Sequence, residues 1–447
     1  MSDYWKRYEP SAQQPWDWPR VVHLHRRAGL GIAWEHVGRD IDDGPDTAIQ
    51  RMLDGECASV IDPNEFRNVS QVIGDAAIAS GDPERLKAWW WYRLIFAADT
   101  LRERATVMWH SHFATSNAKV HDLHLMQEQN EILRQHAFGP FREMLSVVVR
   151  HPAMLLWLDA DSNRVGHANE NLARELLELF TLGIGNYTEE DVKQAARCLT
   201  GWTVRNRQAQ FREERFDASD KTVLERTGKF NIDDLLHLVC EQPATSRRLV
   251  GRICQWLMGE NVVDAEGLEE LAEGLQARDL DIGWAVETVL RSARFFSDDN
   301  ICSRVSSPVD FIATAVRALG LTKSPPSTPL LASWSARMGQ DLFYPPNVAG
   351  WPGGRAWLNS RTIVARANFA SDLVAGRLRV PTEVPVFGVD GAGVESVDEL
   401  LKFLPTYEAV LWGRRASDEQ RREMAKGVAG ISECVGRLLA HPHAYVN

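Results

Sequence analysis

The residue types best suited to chemistry stand in one run, Asn169-Glu170-Asn171-Leu172-Ala173-Arg174-Glu175-Leu176-Leu177-Glu178. On a helix of about 100° per residue, Glu170, Asn171, Arg174, Glu175 and Glu178 fall within an arc of about 140°. Leu172, Ala173, Leu176, Leu177, Leu179 and Phe180 cover the opposite side. Carboxylates three and four residues apart on one face can serve as general acid and base or as metal ligands, with a guanidinium between them tuning their proton affinity. In that reading Glu175 is the base or ligand, Glu178 its partner, Arg174 the anion stabiliser, and Glu170 completes the catalytic set. Asn169 and Asn171 flank them as substrate-binding amides. The plainer alternative is a solvated ladder of i, i+4 ion pairs, worth about 0.2–0.5 kcal/mol each. The cluster has no Glu-x-x-His, so a di-iron bundle site is not indicated.

Trp109-His110-Ser111-His112-Phe113 offers two imidazoles at i, i+2. In an extended segment both project to one side, whereas on a helix they diverge by about 200°. If extended, His110 and His112 with His136 are metal ligands for a divalent ion, completed by a carboxylate such as Glu175 or Glu178. If packed, one ring is hydrogen-bonded in the core and the other is exposed. His23-x-His25 repeats the spacing beside Arg26-Arg27, ahead of Gly29 and Gly31, with no carboxylate cluster in sequence, and reads as structural.

Trp202 follows Gly201 and Trp351 follows Gly350, both at turn-like positions where a ring can wall a pocket. Arg355 adds a cation in the same loop, which makes Trp202, Trp351 and Arg355 substrate-binding candidates. Trp89, Trp90 and Trp91 are consecutive on a helix and must point three ways, so one or two at least are core. Gly-x-Ser-x-Gly, a Walker loop, Gly-x-Gly-x-x-Gly and His-Glu-x-x-His are absent, which removes the common hydrolase, nucleotide and zinc-protease readings. What remains is acid/base or metal-assisted hydrolysis or group transfer on a polar small molecule. The competing reading is a non-catalytic helical scaffold that binds a partner protein.

The elements that position these residues are mainly helical. Apolar residues recur at three- and four-residue spacing, and the spacing predicts helices over 83–96, 101–110, 123–136, 140–150, 152–158, 169–182, 189–200, 232–240, 244–258, 265–278, 282–291, 308–319 and 330–338. The segment 203–229 lacks the period and reads as a β-hairpin or exposed loop, and 345–355, rich in Pro and Gly, as a rigid loop. The fold class is therefore a large multi-helix array with a short β-hairpin or irregular insertion and Pro/Gly-rich loops. Residues 1–380 form the helical main domain with the polar cleft, 381–395 a linker, and 396–447 a small C-terminal helical unit.

Composition narrows the setting. The 447 residues are 44% hydrophobic and 25% charged, an ordinary globular balance. A net charge of −11 argues against unspecific nucleic-acid binding. No apolar run approaches the roughly 20 residues of a membrane span, and the first residues lack the pattern of a secretory signal. Six cysteines are spread singly without Cys-x-x-Cys pairs, which fits a reducing cytoplasm.

Several of these runs occur together and in order: Trp109 to Phe113, Arg134 to Gly139, Asn169 to Gly183, Tyr187-Thr188-Glu189, Leu199 to Trp202, and Pro345 to Gly354. In this combination the chain resembles the DUF1800 family of bacterial proteins, over roughly Val21 to Ala370. The resemblance implies a family without a settled activity, so it points to a site and not to a reaction. Many relatives begin with export signals, unlike this chain, and the family's usual His-Asp pair in the irregular segment stands here as Phe216-Asp217. The long signature around Glu175 favours a buried polar network over a simple ladder, because a ladder does not require its asparagines and its Phe-Thr-Leu-Gly end.

Overall fold

The computed structural model describes residues 4–57, 61–378, 397–428 and 430–447. Among the described residues the chain is a helical array with two small antiparallel hairpins. The expected linker 381–395 lies outside the described residues. Helices open where the local chemistry satisfies their first N–H groups. Asp82 accepts from Glu84 N at 3.0 Å, with Pro83 at the first helical position of Pro83–Phe96. Ser307 and Asp310 cap each other reciprocally at the start of Pro308–Ala318.

The helix Pro83–Phe96 is enclosed by Pro63–Ser80, Thr328–Arg337 and Pro308–Ala318. All three of Trp89, Trp90 and Trp91 are consequently buried, more than the one or two that helical geometry demands. Thr100–His112 is likewise buried on nearly every side. It joins two apolar clusters: Leu101, Ala105, Met108 and Trp109 belong to one, and Val107 to the other. The second cluster contains Phe311 and Phe369 together with Trp412 and Leu438, so the C-terminal helices Val397–Trp412 and Ile431–Ala440 are packed into the same apolar body as Ser360–Val374.

Within 203–229 the chain forms β1 (Trp202–Arg205) with β2 (Gln208–Phe211), and β3 (Lys221–Val223) with β4 (Arg226–Gly228). Arg205 pairs with Gln208 and Val223 with Arg226, which leaves two-residue turns. Asn206 and Arg207, and Leu224 and Glu225, all take positive φ, as the twist of a tight hairpin requires. None is glycine.

Candidate functional site

The helix expected over 169–182 forms in two parts. Asn171–Glu175 is α-helical, and Leu176–Thr181 widens into a π turn in which the Thr181 hydroxyl donates to Leu176 O at 2.6 Å. Such widened turns are frequent at functional positions. Glu170 and Arg174 are ion-paired at 3.1 Å, and Arg174 also reaches Glu189 at 2.8 Å, with all three partly or largely exposed. These bonds, the one to Glu189 first, hold the Arg174 guanidinium above its ordinary proton affinity. Asn169 accepts from Asn171 N at 3.0 Å and donates to Ser162 Oγ at 2.7 Å, while Asn171 donates to Asp159 at 3.1 Å. Glu175 is half-buried, and burial followed by the neighbouring Glu178 raises its proton affinity. Glu178 accepts from the Tyr187 hydroxyl at 2.8 Å. Burial, followed by that bond, pushes the phenol up to about 12.

The histidines do not join this face. His110 and His112 sit in the last turn of Thr100–His112, so the local extension that a two-histidine site needs is absent and the rings diverge. His112 instead meets the backbone of the π turn, its Nε2 at 3.1 Å from Phe180 O, and burial with the nearby Arg252 and Arg248 drives its proton affinity well down. His110 is fully buried among Trp90, Phe343 and Trp351, with no hydrogen-bond partner on either ring nitrogen, and burial lowers it to about 3. His136 is half-buried at the end of Leu123–Gln135. Among the described residues no group of three or more His, Cys, Asp or Glu side chains could hold a metal ion. The metal expectation therefore lacks a ligand set. Trp202 lies on β1, half-buried, with Arg150 over its ring at 5.8 Å.

The chemistry that does converge lies elsewhere, in a cavity of about 120 Å³ where the two apolar clusters meet. Trp351 is one wall of it. Gly350, at φ +82°, lets the loop press against Ser111, and Trp351 N donates to Ser111 Oγ at 3.3 Å. Trp256 and Trp357 add two further rings. Arg355, by contrast, is almost fully exposed, 3.8 Å from Glu260 at the rim.

The other lining groups were not singled out by their types. Arg252 and Trp256 stand four residues apart on Pro243–Leu257, one and two turns beyond Arg248. That i, i+4, i+8 run of two cations and a ring is the signal that could have marked them. Arg104 donates to Asp310 at 2.8 Å from Nε and 3.2 Å from Nη2, and Arg304 donates to the same carboxylate at 3.1 Å. The two guanidiniums, against the cost of burial, hold Asp310 well below the carboxylate range. Asp310 is thereby fully committed.

Arg252 has no such match. It donates to Gln255 Oε1 at 3.4 Å. Burial, and then the like charge of Arg248, lower its proton affinity to about 10, and no carboxylate among the described residues offsets them. The buried indole N–H groups of Trp256 and Trp351 also lack a hydrogen-bond partner within the described protein. Arg252 is thus the unmatched cation of the cavity lining, and the two enclosed N–H groups are exceptions to the rule that buried donors are satisfied.

These features define a mainly helical protein with a donor-rich, tryptophan-walled cavity. The chain belongs to the family described as Protein of unknown function (DUF1800), whose model matches residues 23–440. No curated protein and no solved structure matches it. Among the described residues no helix is long and apolar enough to cross a membrane.

Proposed function

We propose that the protein acts on a small polar anion, a carboxylate or a phosphate, bound in the cavity between Arg252, Trp256 and Trp351, by hydrolysis or group transfer. The observation that carries the reading is Arg252, a half-buried guanidinium that no carboxylate among the described residues offsets, in a cavity also walled by Trp256 and Trp351. Arg104 and Arg304 add positive potential, but Asp310 already neutralises much of it. Glu175, which is not among the residues that line this cavity, is the acid/base candidate because burial and Glu178 favour its protonated form. Arg248 feels the charge of Glu178 and stands one turn before Arg252, which links the acidic pair to the cavity along one helix.

Calorimetric titration with inorganic phosphate and with citrate tests the binding step. A charge-assisted hydrogen bond contributes about 1.5–3 kcal/mol, so Arg252→Ala should weaken binding by roughly 10- to 150-fold. Equal binding by the variant, or binding of neither anion by the unaltered chain, overturns the assignment. Once a substrate is in hand, Glu175→Gln should abolish turnover while the protein stays folded.

A further inference from the structure

The cavity of about 120 Å³ is also lined by Gln340, an uncharged side chain on a residue only 3% exposed. Gln340 follows Gly339, which at φ +101° turns the chain back from the helix Thr328–Arg337, and Gln340 N donates to Ser335 O at 2.9 Å. Its side-chain Oε1 accepts from Val309 N at 3.0 Å. Val309 stands in the first turn of Pro308–Ala318, where a backbone N–H has no acceptor within its own helix. That bond orients the amide: the atom facing Val309 N is the oxygen, and the nitrogen with its two donors lies on the other side. Capping accounts for the oxygen and leaves the nitrogen without a role. Gln340 Nε2 has no hydrogen-bond partner among the described residues, yet unlike the indole N–H groups of Trp256 and Trp351 it is not enclosed by protein atoms. Asp310, in the same lining, does not take it up, because its oxygens accept from Arg104 at 2.8 and 3.2 Å and from Arg304 at 3.1 Å.

We infer that Gln340 is a ligand-contacting residue of this cavity, its Nε2 donating to an oxygen of the bound anion. The inference rests on the reading of the cavity as an anion site and adds what Arg252 cannot supply. A guanidinium draws in any anion, whereas an amide pinned by its own oxygen offers only N–H, at one place and in one direction. The group that meets Gln340 is therefore an acceptor oxygen without a proton, as on a phosphate or a carboxylate, and an ammonium or amide N–H is refused there. Arg252 comes from the helix Pro243–Leu257 and Gln340 from the turn after Thr328–Arg337, so the anion is gripped by two remote segments.

Calorimetric titration of the full-length chain with inorganic phosphate tests the contact. Gln340→Glu keeps an oxygen for Val309 N but replaces the donors with a like charge, and Gln340→Met removes the donors without adding charge. Loss in both therefore reports the N–H groups and not the cap or the charge alone. Each should weaken phosphate binding about tenfold or more, as expected for a hydrogen bond to a charged group, with an unchanged far-ultraviolet spectrum. A folded variant of either kind that binds phosphate as tightly as the unaltered chain overturns the role of Gln340, and Arg252 keeps its own if Arg252→Ala still binds more weakly. No binding to the unaltered chain overturns the anion site itself and this inference with it. Crystals of the unaltered chain grown with phosphate need no variant: Nε2 should lie about 2.7–3.2 Å from a phosphate oxygen, and phosphate held in the cavity beyond reach of Nε2 overturns the contact.

Discussion

His110 makes the chain acid-labile in a way that can be isolated. Its ring is fully buried, neither nitrogen has a partner, and three aromatic rings surround it. The imidazole is therefore neutral in the folded protein, with its protonation lowered from 6.5 to about 3. The sign follows from proton uptake. The unfolded chain binds a proton at this residue below its ordinary value and the folded chain does not, so stability is lost as pH falls through 6.5 and continues to be lost until the folded ring titrates. At pH 4.5 the interval from 6.5 is two units, and at about 1.4 kcal/mol per unit the loss is about 2–3 kcal/mol. His110→Phe keeps a flat ring among Trp90, Phe343 and Trp351 and removes the titration. Urea unfolding of both proteins at pH 7.5 and 4.5 separates this residue from every other group, because only the difference between the differences is read. The variant should gain about 2–3 kcal/mol on the unaltered chain between the two pH values. If both proteins lose stability in parallel, His110 is not the buried neutral base described.

Three further outcomes follow from the geometry. Gly350→Ala places a Cβ against the Ser111 backbone carbonyl and hydroxyl at a φ of +82°, so the loop must withdraw and carry the buried Trp351 with it; anion binding and urea stability should both fall, and a variant that keeps either at the level of the unaltered chain would refute the close fit of this loop. Asp310→Asn leaves Arg104 and Arg304 without their carboxylate and should cost about 3–5 kcal/mol, with phosphate restoring more stability to the variant than to the unaltered chain; equal restoration in thermal unfolding would refute the charge accounting. Glu178→Gln removes the charged acceptor of the Tyr187 hydroxyl, so ultraviolet titration should find the phenol below about 12 but still above its ordinary value, since burial remains; an unmoved phenol would break the link between the two residues.

Much of the helical body was legible because periodicity and caps report the same element. Pro83–Phe96 is bounded by Asp82-Pro83, and Glu189–Cys198 by the reciprocal cap of Thr188 and Asp191. The helices Trp18–Arg27, Trp34–Leu53, Pro63–Ser80 and Ser360–Val374 escaped the spacing argument, the first two for identifiable reasons. Trp34–Leu53 is interrupted at Gly44, with φ +79°, and Pro45, so its apolar stripe changes phase midway. Trp18–Arg27 buries His23, His25, Arg26 and Arg27, polar types that a hydrophobic period counts as surface. The two hairpins were legible only as an alternative to a loop, because their turns place Asn-Arg and Leu-Glu where glycine ordinarily marks positive φ.

The site was less legible, for a reason that lies in how its charges are distributed. A run such as Glu170 to Glu178 draws attention because its polar groups are adjacent in sequence, yet adjacency on a helix lets exposed partners satisfy one another, as Arg174 does with Glu170 and Glu189. The cavity inverts that logic. Arg104, Arg252, and Arg304 with Asp310 come from three remote segments, and Trp351 comes from a fourth. Each residue alone reads as an ordinary surface charge or core ring, and only burial turns the set into one carboxylate shared by two guanidiniums with a third left over. Of the sequence candidates, Trp351 reached this cavity because its cues were conformational: Gly350 at positive φ and flanking prolines fix a backbone that a packing contact alone would not require. Where a loop must hold a ring in a cavity wall, the backbone constraint is written locally even when the cavity's charges are not.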